Sequence, residues 1–227
     1  MMHYGTVVPG RFLDRPNRFI AHVEAGGDIQ TVHVKNTGRC RELLLPGAEV
    51  YLARAENPAR KTAWDLIAVR KGERLINIDA QAPNQVFGEW ASAGGFSPEV
   101  AAVRKEVPCG ASRLDFCLET PRGPHFVEVK GVTLEEGAAA RFPDAPTERG
   151  VKHIQELQRA VEAGAEATLF FVVQMEGIRS VAPNDATHPA FGAALRAAAA
   201  QGVYVCAYDC SVAPDSLSIR RPVPVIL

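Results

Sequence analysis

One stretch of this chain constrains its fold more than any other. From Ala167 to Met175 the residues are almost continuously apolar over the length of a single β-strand. A half-exposed strand alternates, so an unbroken run predicts burial on both faces, which requires cover on both sides of a sheet. Helical patterns stand on either side of it. Thr147 can cap a helix running to about Ala163, with Val151, Ile154, Leu157 and Val161 as its apolar stripe and Gly164 as the stop. A second helix is read from Pro189 to about Gln201, followed by a strand from Val203 to Tyr208. Upstream, Gln85 to Ser92 reads as a short helix, and Val100–Val107, Ser112–Glu119 and His125–Val132 read as strands. The order is an alternating α/β pattern.

The first 80 residues differ. Thr6–Leu13, Arg18–Val23, Ile29–Val34, Glu49–Arg54 and Ala63–Val69 read as short strands, punctuated by Gly26-Gly27-Asp28, Pro46-Gly47 and Asn57-Pro58. Five short strands in this length predict a small OB-type barrel. Between the third and fourth lies a basic, polar segment from Lys35 that passes into an expected short helix near Leu43-Leu44. The predicted fold class is therefore α+β: an OB-like β-barrel over residues 1–81 and an α/β domain over 82–227.

Composition supports a soluble globular protein, at 47% hydrophobic and 22% charged residues. No run approaches the ~18 apolar residues of a membrane span. No basic region followed by an apolar one opens the chain, so a cytoplasmic location without a secretory signal is expected. The five cysteines contain no CxxC pair, and Cys206 with Cys210 lacks a second ligand pair for zinc. Reduced thiols are the simpler reading. The net charge of −1 conceals an asymmetry: through residue 80 there are 12 basic and 9 acidic residues, leaving −4 for the remainder. A basic first part suits phosphate and an acidic second part suits cations.

The chemistry concentrates in Ser112-Arg113-Leu114-Asp115-Phe116 and Phe126-Val127-Glu128-Val129-Lys130. Period-two alternation puts Leu114, Phe116 and Leu118 on one face of the first strand, with Arg113, Asp115 and Cys117 on the other; in the second, Glu128 and Lys130 share a face. A hairpin around Pro121-Arg122-Gly123 pairs residues whose numbers total about 243, which sets Asp115 opposite Glu128. Two neighbouring carboxylates repel, and Mg²⁺ or Mn²⁺ relieves that repulsion through oxygen ligands. Such an ion polarises a phosphodiester and lowers the pKa of bound water. Asp115 and Glu128 are thus the expected metal ligands and Lys130 the phosphate or water partner, the three together forming the expected catalytic site. An exposed hairpin face with alternating charges would look similar, and Glu-x-Lys recurs by chance.

Asp in one strand followed by Glu-x-Lys in the next resembles the PD-(D/E)xK nuclease superfamily, whose α-β-β-β-α-β order the segment from Gln85 to Met175 reproduces. Leu114 stands before Asp115 where the motif has proline. More narrowly, the chain resembles the sugar fermentation stimulation protein (SfsA) family. The likeness rests on His33-Val34-Lys35-Asn36-Thr37-Gly38-Arg39, Ser112–Phe116, Glu128–Leu134, Phe142–Gly150 and His153. It implies an OB-like first domain, a nuclease-like second domain and DNA binding, with a regulatory link to sugar utilisation. The superfamily often adds an upstream acidic residue, for which Glu106 is preferred over Glu89.

Nucleic acid, DNA before RNA, is the expected partner. Lys35, Asn36, Arg39 and Arg41 on the barrel loop are candidate contacts, with Phe12, Phe19 and Tyr51 as stacking rings or core rings. Thr147, Arg149 and His153 stand near a helix start, where a phosphate finds free N–H groups; Thr147 reads equally well as an ordinary cap. GxSxG, P-loop, GxGxxG and HExxH motifs are missing, which disfavours serine hydrolase, NTPase, dinucleotide and zincin chemistry. Three readings stay open: a Mg²⁺- or Mn²⁺-dependent nuclease, a non-catalytic DNA-binding regulator of sugar metabolism genes, and, on the family resemblance alone, a regulator that binds a sugar metabolite.

Overall fold

A computed structural model describes residues 1–36 and 38–227; Thr37, part of the barrel-loop motif, lies outside the described residues. The barrel is built from β2 (Val7–Asn17), β3 (Ile20–Ala25), β4 (Asp28–Val34), β5 (Glu49–Arg54) and β6 (Trp64–Lys71). Neighbours pair antiparallel in the order β4-β3-β2-β5-β6, and parallel pairing of His33-Val34 with Asp65-Leu66 closes the ring. Five strands therefore form a closed barrel, as expected, and β7 (Arg74–Asn77) extends β6 beyond it. Phe12, Val23, Val50, Leu52 and Leu66 are buried within it. The expected short helix near Leu43-Leu44 is a turn instead. Cys40 takes a positive φ of 45°, and its carbonyl accepts from both Leu43 N and Leu44 N, closing a single turn that Pro46-Gly47 ends.

The second unit is a seven-stranded mixed sheet. Its members are β1 (Met2–His3), β8 (Ala102–Cys109), β9 (Ser112–Thr120), β10 (Gly123–Val132), β13 (Glu166–Val173), β15 (Tyr204–Ala213) and β16 (Ser216–Val223). Their order is β1-β16-β15-β13-β10-β9-β8. The central β13 pairs parallel with β10 and β15. Seven of its eight residues are buried, as its apolar run requires. Helix α1 (Ala82–Ser92) covers one face, while α2 (Glu148–Glu162) and α3 (Pro189–Ala200) cover the other. A small sheet joins β11 (Glu135–Glu136) and β12 (Ala139–Phe142), which lie between β10 and α2 in the chain, to β14 (Ser180–Pro183), which lies between β13 and α3. The order α1-β8-β9-β10-α2-β13 is present with that insertion.

Two details depart from the expected layout. Met2 and His3, read with the barrel unit, pair with Leu217 and Ser216 at the edge of the large sheet. Leu114 also parts from Phe116 and Leu118: it packs in the core beneath α2, they in the core beneath α1. The change of face falls at Asp115, where the β8–β9 ladder skips the Glu106–Asp115 pair and Glu106 has φ 55°. An interrupted ladder bends its strand and lets side chains re-aim.

Candidate nuclease-type carboxylate site

The hairpin β9–β10 turns through Pro121-Arg122 and keeps the predicted register, from Thr120↔Gly123 to Phe116↔Val127. There the ladder stops. Asp115 does not sit across a closed pair from Glu128; its carboxylate enters the opening and Oδ2 accepts from Val129 N at 2.8 Å. Oδ1 accepts from Asn84 Nδ2 of α1 at 2.7 Å. A side chain has replaced the missing backbone acceptor, which holds the strands apart. Burial pushes the Asp115 carboxyl above its ordinary range, and the nearby Glu128 charge pushes it further.

Glu128 lies on the α2 side and is 1% exposed. Its Oε1 accepts from Lys130 Nζ at 2.5 Å and is hydrogen-bonded to His153 Nδ1 of α2. Burial raises this carboxyl, but the His153 bond and the Lys130 charge outweigh it, so the group lies below the usual carboxylate range. Arg149 Nε donates to His153 Nε2 at 3.2 Å. Arginine cannot accept, so Nε2 carries the lone pair and Nδ1 carries the proton donated to Glu128. An exposed arginine thereby fixes the tautomer of a buried histidine, and the histidine orients the carboxylate.

Among the described residues no group of three or more His, Cys, Asp and Glu side chains forms a ready metal cage. The donor set nevertheless fits a hard cation. Glu128 Oε2 is buried without a hydrogen-bond partner, and Asp115 adds a second carboxylate whose ionisation is opposed until positive charge arrives. One or two carboxylates completed by water and phosphate oxygens is the usual Mg²⁺ arrangement, unlike the multidentate cages of Ca²⁺.

The other predicted residues divide. Glu106 and Asp115 line one cleft of about 400 Å³ with Asn84, Gln85 and Glu89, so both upstream acids share a cleft with Asp115, whereas Glu128 and Lys130 do not line it. Lys35 is engaged by the wholly buried Asp79 at 2.7 Å. Asn36 is also engaged within the fold: its Oδ1 accepts from Gly38 N and its Nδ2 donates to Ile78 O. Arg39 and Arg41 are exposed. Thr147 caps α2, its hydroxyl accepting from Gly150 N at 3.0 Å. His153 is buried beside Glu128, a support for the carboxylate instead of a surface contact. Of the three ring candidates, Phe12 is core, Tyr51 donates to Glu49, and Phe19 is 46% exposed under Arg18.

Sequence reasoning did not reach Asn84, Gln174 or Arg15. Gln174 is the one amide in the apolar run; it donates to Asn77 Oδ1 and Asp79 O, joining the end of β13 to the barrel. That isolated amide was a readable signal. Arg15 donates to the carbonyls of Arg18, Asn36, Gly38 and Arg39 and so shapes the basic loop, which no local pattern announces. The shaped loop meets the second unit where a Cβ on Gly38 would lie 2.5 Å from Asp144 Oδ2. Barrel loop and α2 entry thus share one side of the molecule.

Comparison with known proteins follows these divisions. Residues 13–78 match the SfsA N-terminal OB domain, and residues 81–216 match the sugar fermentation stimulation protein RE domain. A sugar fermentation stimulation protein homolog of Desulfitobacterium hafniense (strain Y51) is 55% identical over 95% of this chain and 94% of that one. A homolog from Clostridium beijerinckii is 47% identical over the whole of both. The structure of Pyrococcus furiosus SfsA in complex with Ca²⁺ superposes with a TM-score of 0.89 at 27% identity, covering 100% of this chain and 98% of that one. With both domain models matched in order and relatives aligned end to end, the chain belongs to the sugar fermentation stimulation protein family.

Proposed function

We propose that this protein binds DNA and carries a Mg²⁺- or Mn²⁺-dependent phosphodiesterase site of the PD-(D/E)xK type. One observation carries the reading: the β9–β10 ladder opens where Asp115 enters it, beside a buried Glu128 that keeps one oxygen uncommitted and holds the Lys130 ammonium on the other. Asp115 and Glu128 would hold the ion, which supplies polarisation of the phosphodiester and acidification of a water. Lys130 places positive charge where a phosphate gathers negative charge. Asn84 fixes Asp115, and the Arg149–His153 pair fixes Glu128. A relative crystallised with Ca²⁺, another oxygen-seeking cation, supports the choice of ion. Exposed Arg39, Arg41 and Arg149 supply phosphate contacts from the barrel loop and from α2.

The test compares wild type with Asp115→Ala on labelled single- and double-stranded DNA, with and without Mn²⁺. Cleavage that needs Mn²⁺ and falls at least ~100-fold in the variant is expected, given the size of effects attached to such electrostatic groups. Equal cleavage by both proteins overturns the assignment.

One observation favours the non-catalytic reading. Lys130 and His153 already satisfy the same Glu128 oxygen, so the buried charge is balanced by the chain itself. Salt-dependent DNA retention with no cleavage in Mn²⁺ selects a DNA-binding regulator of sugar metabolism genes.

A further inference from the structure

The α1 side of the large sheet is covered unevenly. α1 packs on β16, β10, β8 and β1 and makes no comparable contact with β15. Tyr204, Cys206 and Tyr208, alternate residues of β15, therefore line an open cleft of about 440 Å³. That volume lies within the ~300–1,000 Å³ of small-molecule sites.

Its floor and inner wall are aromatic. Phe170 and Tyr208 stack with ring centroids 5.2 Å apart and planes inclined by 12°. Trp90 lies 5.0 Å from Tyr208, and Phe96 meets the edge of His125 at 5.1 Å. Tyr204 stands at the rim, 63% exposed. Trp90 and Tyr208 are inclined by 55°, so either ring offers a π surface to a flat guest while the buried Phe170 backs Tyr208.

Its mouth is polar. Arg122, in the two-residue turn of the β9–β10 hairpin, is 71% exposed and contacts Glu166 Oε1 through Nε at 3.0 Å. A guanidinium has five N–H donors, so most remain for an anion. The other Glu166 oxygen, Oε2, is buried without a hydrogen-bond partner, although His125 Nδ1 lies 3.2 Å from it. It faces His125 inside the wall and is closed to a guest. A flat ring and an anionic group within this volume describe a nucleotide.

We infer that this cleft is a nucleotide site, taking a base onto the Trp90–Tyr208 surface and its phosphate onto Arg122. It is separate from the carboxylate site. On β10, His125, Val127 and Val129 face α1, whereas Glu128 and Lys130 face α2, and His125 precedes Glu128 by about 10 Å of strand. The inference therefore does not depend on the nuclease reading. Two sources offer the same chemistry, a free mononucleotide or the phosphorylated end of a DNA strand.

Trp90 and Trp64 are the two tryptophans, so a Trp64→Phe background makes Trp90 fluorescence a local reporter. The probes are dAMP and dGMP, the corresponding nucleosides, and a single-stranded 12-mer with and without a 5′-phosphate; calorimetry on the unsubstituted chain repeats the titrations. Saturable quenching by the monophosphates is expected, at least about tenfold weaker for the nucleosides and for Arg122→Ala, and unchanged by Asp115→Ala. Arg122 is exposed, so its loss leaves the packing intact. Quenching by the phosphorylated 12-mer alone assigns the site to strand ends, and displacement of the 12-mer by dAMP assigns it to free nucleotides. No saturable change with any probe to millimolar concentration, or equal quenching in wild type and Arg122→Ala, overturns the inference.

Discussion

Asp115 and Glu128 are neighbours of the same chemical kind that titrate in opposite directions, and each direction has a consequence for stability. The Asp115 carboxyl is raised by burial and by Glu128, so the fold is most favoured when Asp115 is protonated. Its contribution is present below the ordinary carboxylate range and is lost as pH rises through the raised value. Asp115→Asn keeps the acceptor for Val129 N, turns its amide N–H toward an Asn84 side chain that can rotate to accept it, and removes the opposed charge. It is expected to raise the thermal midpoint at neutral pH by ~2–4 °C while abolishing Mn²⁺ binding, read by calorimetry. Glu128 is lowered by His153 and Lys130 against the effect of its burial, so its contribution is present at neutral pH and is lost as pH falls through the depressed value. Glu128→Gln weakens two charge-assisted bonds and is expected to destabilise by ~1–3 kcal/mol in urea titrations, with the loss shrinking in acid. A rise for both variants, or a fall for both, contradicts this account of the pair.

At the scale of elements, the hairpin that carries the site was legible because a two-residue turn leaves little freedom of register, and Pro121-Arg122-Gly123 marked its centre. The opening at Asp115 was not legible. Alternation assumes an intact ladder, and the break depends on Glu106 in a third strand and Asn84 on a helix. Helix α2 was readable from its Thr147 cap and apolar periodicity, whereas β11, β12 and β14 are too short to carry a pattern. Support for the carboxylates from Asn84 and His153 was likewise invisible, because each contact spans 25 residues or more. A further long-range device sits at the β8–β9 turn. Gly110 has φ 55°, and a Cβ there would lie 2.2 Å from Oε2 of the wholly buried Glu156 on α2. Gly110→Ala is expected to cost at least ~1–3 kcal/mol in urea unfolding, from left-handed strain and the clash together. Wild-type stability in that variant shows that α2 yields freely to the turn.

Across the whole molecule, barrel and sheet do not keep separate interiors. Phe12, Val50 and Leu66 belong to the same contiguous apolar cluster as Ile154, Leu169 and Phe171. Gln174 ties β13 to Asn77 and Asp79, and the buried Glu135 receives Lys71 Nζ at 2.8 Å and Arg74 NH1 at 2.9 Å from the barrel's last hairpin. One cooperative transition is expected for both domains. Glu135→Ala, which leaves two cations facing each other, is expected to lower stability by ~1–3 kcal/mol without splitting that transition. Two resolved calorimetric peaks in the variant identify the ion pairs as what couples the units. Gly38, pressed against Asp144, gives this union its aperture. A Cβ at that point would meet the ends of the Asp144 and Asn36 side chains, so the closeness of barrel loop and α2 entry is gauged by a residue that contributes nothing but backbone.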